Sequence, residues 1–87
     1  MTQEPAIVID ETALQTLLAA RVNERRNIIA AVDEVRQRLH EPPDGVHHDK
    51  VGRPIRVLVA RGYLVTHWED GPVNELRIVD IQKVRGK

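Results

Sequence analysis

Apolar positions change their spacing once along this chain of 87 residues. After Pro5, the unbroken apolar run Ala6-Ile7-Val8-Ile9 predicts a short buried strand. Leu14, Leu17 and Leu18 then fall at i, i+3 and i+4, one helical face that runs to about Ala20. Asp10 stands where a capping residue belongs, and Glu11 follows in the first turn, where the helix dipole favours acid. Beyond it, Ile28, Ile29, Val32, Val35 and Leu39 keep helical spacing, with Arg25, Asp33, Arg36 and Gln37 opposite them. Asn23 is a candidate cap for this second helix; the alternative is one helix bent near Arg21–Asn23. Both apolar stripes are expected to serve mainly the core. Pro42-Pro43-Asp44-Gly45 ends the helical region, because proline supplies no amide donor and disfavours helix before it.

From Val51 the period falls from about 3.6 to about 2. Ile55, Val57 and Val59 alternate with Arg56, Leu58 and Ala60, Arg61-Gly62 supplies a turn or a bulge, and Tyr63–Trp68 is β-rich by composition. Glu69–Asn74 is dense turn chemistry, and Leu76, Ile78, Val79 and Ile81 make a last strand. The expected fold is α+β: a short N-terminal strand, two helices or one bent helix, then a three-strand antiparallel meander with the helices packed on one face of the sheet. One domain spanning 1–87 is expected, with a thin core, since a chain this small buries roughly 60–65% of its unfolded surface.

Charge changes the picture only when it is divided. Thirteen basic and thirteen acidic residues cancel, which excludes a uniform polycation. Yet residues 1–19 carry three acids, residues 20–40 five arginines against three acids, residues 41–49 three acids, and residues 50–87 eight bases against four acids. The C-terminal half is therefore basic, behind an acidic connector. Without cysteine there is no disulfide and no thiolate chemistry, which fits the cytoplasm. No secretory signal or membrane span is read from the sequence, and Tyr63 and Trp68 are too few rings for an extended base-stacking surface.

Candidate chemistry is sparse. His47-His48-Asp49 has metal-ligand residue types, but adjacent histidines diverge and need His40 or His67 to complete a site, so a solvated acidic loop is the expected reading. Tyr63 is expected to anchor the sheet, Trp68 to cover the core in part, and Arg56 and Arg61 to pair with Glu69 or Asp80. Gly52-Arg53-Pro54 reads as a turn, and Lys83, Arg85 and Lys87 as a soluble tail. No cofactor motif is present.

The segment Ile55-Arg56-Val57-Leu58-Val59-Ala60-Arg61-Gly62-Tyr63-Leu64-Val65 resembles the strand pair of the RelE/ParE superfamily of type II toxin–antitoxin toxins. The terminal stretch Leu76–Arg85 is similar to that family's last strand and basic tail, and Ile7-Val8-Ile9-Asp10 with Ala13, Leu14 and Leu17 to its opening strand and helix. The resemblance spans about residues 6–86 and implies a cytoplasmic toxin neutralised by a cognate antitoxin, as a homodimer or a toxin–antitoxin hetero-oligomer.

The family implies one of two activities. Its ribosome-dependent messenger-RNA nucleases commonly carry an Arg directly after the Gly-Tyr pair, where this chain has Leu64, and a Tyr or His near the C-terminus, which this chain lacks. If the chain is such an endoribonuclease, its base, donor and cations come from His67, Arg56, Arg61, Lys83 and Arg85. Tyr63-Leu64-Val65 is more similar to the ParE branch, whose members poison DNA gyrase by binding. Binding is thus the first expectation and RNA cleavage the alternative. The neutral charge motivates a third, a non-toxic interaction module of the same fold.

Overall fold

The computed structural model describes residues 4–84. Ala6–Ile9 forms strand β1, Glu11–Ala19 helix α1, Val22–Gln37 helix α2, Gly45–His48 strand β2, Pro54–Ala60 strand β3, Tyr63–Asp70 strand β4 and Glu75–Lys83 strand β5. A single 3₁₀ turn, Gly71–Val73, joins β4 to β5. The strands lie in the order β1-β5-β4-β3-β2. β2, β3, β4 and β5 run antiparallel to their neighbours, while β1 is parallel to β5.

The α+β class holds, and the expected meander is β3-β4-β5 within a larger sheet of five strands. β1 joins that sheet as an edge. The other edge is β2, which occupies the stretch read from sequence as an acidic loop; that reading is corrected. Val46 and His47 stand opposite Arg56 and Ile55. The Asp49 carboxylate closes the hairpin, accepting bonds from the amides of Val51 (3.0 Å) and Arg53 (2.9 Å). Gly52 turns the chain with φ of 83°, a conformation that glycine adopts without a Cβ clash.

Two helices form rather than one bent helix. α1 stops at Ala20, and Arg21, not Asn23, occupies the position before α2. Asp10 precedes α1 but makes no side-chain capping bond; its carboxylate lies 3.8 Å from Arg77. Arg25 instead finishes α1 from the far end. Its guanidinium donates to the carbonyls of Leu17, Leu18 and Ala20, a cation where the helix dipole is negative.

Both helices cover one face of the sheet. Ala13, Ile28, Ala31, Val32 and Val35 pack on Leu58, Ala60, Tyr63, Val65, Leu76, Ile78 and Ile81. The α2 stripe serves the core as expected, except that Ile29 faces solvent. The α1 stripe does so only through Leu17: Leu14 and Leu18 are 40% and 63% exposed, and Ala13 makes the core contact beside Leu17. On β5 the alternation breaks once. Thr66 faces Asp80 but His67 faces Ile78, leaving Val79 unpaired as a bulge. That extra residue brings both Ile78 and Ile81 to the helix side.

Candidate functional site

Ala60 and Tyr63 face each other across the β3–β4 hairpin, so Arg61-Gly62 is a two-residue loop. Both loop residues have positive φ, 51° and 82°, the signature of a type I′ turn. Asn-Gly and Gly-Gly suit such a turn because a long side chain at positive φ crowds its own backbone. Arginine in the first position is held there at a cost of about 1 kcal/mol. Its side chain is exposed, and no carboxylate lies within ion-pair distance among the described residues. The pairing of Arg61 with Glu69 or Asp80 expected from the sequence does not form.

Lys83 ends β5 opposite Tyr63, at the same end of the sheet, and Val84 donates 2.8 Å to the Gly62 carbonyl. Lys83 is exposed and also free of carboxylates among the described residues. Tyr63, only 6% exposed, anchors this end in the core, as expected. Arg61, Tyr63 and Lys83 thus form one corner. Arg85 lies outside the described residues.

Arg56 and His67 form a different group. They face each other across β3 and β4, five residues from the turn and about 15 Å away along the strands. Arg56 pairs loosely with Glu69 at 3.9 Å, as expected for a half-exposed ion pair. His67 is 1% exposed, and its Nδ1 lies 3.1 Å from the Val65 carbonyl oxygen. Burial pushes its pKa below the ordinary histidine value, the Val65 bond opposes the shift, and Arg56 adds to it. His67 is thus neutral at pH 7 and enclosed, with its δ nitrogen occupied. The described candidates therefore fall into two groups rather than one concave constellation.

Three arginines of the basic C-terminal half, Arg53, Arg56 and Arg77, are paired within the fold. Arg53 pairs with Asp49 at 2.8 Å, and Arg77 with Glu75 at 3.0 Å. The acidic connector supplies Asp49 to this pairing. The Arg53 guanidinium also lies 3.9 Å from the centroid of Trp68, with Arg77 on the same ring at 5.9 Å. Trp68 is covered by cations as well as by core, a relationship invisible in one-dimensional spacing. His47 and His48 are exposed on β2 with side chains on opposite faces, and no group of three metal-ligating side chains gathers among the described residues. No described helix is long and apolar enough to cross a membrane.

No protein-family model matches the sequence, and no curated protein does. A search of solved structures finds the crystal structure of an archaeal RelE-RelB complex from Pyrococcus horikoshii OT3, with a TM-score of 0.64. The match covers 98% of this chain and 99% of that one at 15% identity. The chain therefore has the RelE-like fold over almost its whole length, as the sequence resemblance implied.

Proposed function

We propose that this protein is the toxin of a toxin–antitoxin pair, held inactive by a partner protein of the antitoxin class and acting by binding a cellular target. The fold similarity to RelE over nearly the full chain, in a structure containing a RelE-RelB complex, supports the toxin and its partner. The observation that carries the mode of action is Arg61: an exposed, unpaired cation kept at positive φ beside Lys83. Backbone strain at an exposed charge is what a contact residue presents, because a structural turn has no use for arginine there. The Arg61–Lys83 corner is the target-binding edge, and DNA gyrase is the target that the Tyr63-Leu64-Val65 strand favours.

Expression in a bacterial host arrests growth under this reading, and co-expression of the adjacent small gene relieves it. Arg61→Asn abolishes the arrest without unfolding the protein. Harmless expression of the folded wild-type protein would count decisively against the toxin. Inhibition of supercoiling by the purified protein identifies gyrase. Codon-phased cuts in cellular messages, lost in His67→Ala, would point instead to RNA cleavage, for which the enclosed His67 would first have to open.

A further inference from the structure

We propose that two copies of this chain pair antiparallel through the outer face of α1, with Leu14 of each copy packed on Leu18 of the other. Such a pair requires only this chain, whatever its cellular target.

Three observations converge on this face. Leu14 and Leu18 stand one helical turn apart on the outside of α1, both exposed, and Val22, 62% exposed, follows just past the helix end. Glu11 opens the helix and Arg21 follows its last turn. Both are exposed, and neither has an ion-pair partner among the described residues. The order Glu11, Leu14, Leu18, Arg21 runs at spacings of three, four and three, so the charged pair and the apolar pair share one midpoint, Thr16.

That shared midpoint names the occupant. A two-fold interface needs a patch complementary to itself. About an axis beside Thr16, an antiparallel copy sets Leu14 against Leu18 and Glu11 against Arg21, and each contact occurs twice. A parallel copy would set Glu11 against Glu11 and Arg21 against Arg21. The antiparallel direction also lays the positive end of each helix dipole beside the negative end of the other. An unrelated partner would have to bring this order of acid, two apolar residues and base; a second copy of the chain already carries it. Thirteen acidic and thirteen basic residues leave no net charge, so two copies meet without long-range repulsion. A patch of this size gives a weak dimer, governed by protein concentration.

Sedimentation equilibrium of the full-length protein is expected to show a monomer–dimer equilibrium at concentrations up to about 1 mM. Leu18→Asp, at an exposed position, weakens the dimer by about tenfold or more. Glu11→Arg and Arg21→Glu each weaken it roughly tenfold, because each sets like charges opposite one another. Mixed together, these two single variants pair again, and the double variant Glu11→Arg/Arg21→Glu dimerises like the natural chain; damage to the fold would give neither result. The chain has no cysteine, so direction is read from disulfides. A mixture of Leu14→Cys and Leu18→Cys proteins is expected to oxidise to the mixed dimer in preference to either same-site dimer. A monomer at the highest concentration, a dimer indifferent to Leu18→Asp, a double variant as weak as the single ones, or same-site disulfides as abundant as the mixed one would each overturn the proposal.

Discussion

The guanidinium of Arg53 stacks 3.9 Å from the centroid of the Trp68 ring while its Nε donates 2.8 Å to Asp49. One side chain therefore joins the β2–β3 turn to the face of β4. The same Asp49 carboxylate accepts the amides of Val51 and Arg53, and these bonds outweigh burial to hold its pKa below the usual carboxylate value. Asp49→Ala removes the turn's acceptor and frees Arg53 at once. It is expected to destabilise the fold, read as a lower urea midpoint with unchanged slope. Trp68 is the chain's one tryptophan, so its emission reports the change directly: both Asp49→Ala and Arg53→Ala shift the folded-state spectrum to the red as the ring is uncovered. An unshifted spectrum in both variants would show that the stack does not persist in solution.

Leu76 and Leu18 are both leucines in apolar series, but only one is in the core. Leu76 is fully buried beneath the helices, whereas Leu18 is 63% exposed. Leu76→Ala is expected to destabilise by about 2–5 kcal/mol, a large share of the stability of so small a domain, and Leu18→Ala by less than about 0.5 kcal/mol. Chemical denaturation of the two variants side by side checks the assignment, and a Leu18 cost approaching that of Leu76 would contradict the burial described for α1.

Elements defined by local periodicity were legible in the sequence. Ala6–Ile9, the α2 core stripe and the β3–β4–β5 series all follow from spacing over neighbouring residues, and the order and length of these pieces matched a known fold. What was not legible depends on pairing between distant residues. β2 has only four residues and no alternation of its own; it exists because Asp49 closes the turn and Ile55 and Arg56 supply a ladder. The α1 face departs from its spacing: Ala13 and Leu17 reach the core cluster, and Leu14 and Leu18 are left exposed. The grouping of the site residues was equally hidden. Arg56, Arg61, His67 and Lys83 share a basic region of sequence, but strand direction sends Arg56 and His67 to one end and Arg61 and Lys83 to the other.

Arg61 separates stability from binding. Asn tolerates the left-handed region better than Arg, so Arg61→Asn is expected to stabilise the fold by about 0.5–1 kcal/mol. The same change removes an unpaired cation from the proposed target edge. A variant that melts higher yet no longer arrests growth is the expected combination. Lys83→Ala serves as the companion, losing activity with no gain in stability because Lys83 carries no backbone strain. Full toxicity in a stabilised Arg61→Asn protein would remove this corner from the mechanism.

His67 makes folding sensitive to pH in a defined direction. Burial disfavours its imidazolium, so its folded pKa lies below the ordinary value near 6.5 that applies in the unfolded chain. Above that value both states hold a neutral ring, and His67 adds no pH dependence. Below it the unfolded state binds a proton that the folded state resists, so stability falls as pH falls, until the folded ring is itself protonated. The slope reaches at most about 1.4 kcal/mol per pH unit for this one proton. Urea midpoints measured from pH 8 to pH 5 are expected to hold steady and then decline below about 6.5. His67→Leu keeps an apolar residue of similar bulk among the buried strand positions and is expected to lose that decline, while the exposed His40, His47 and His48 remain as internal controls. The same decline in His67→Leu would assign the proton to another group and leave the buried ring without a role in acid stability.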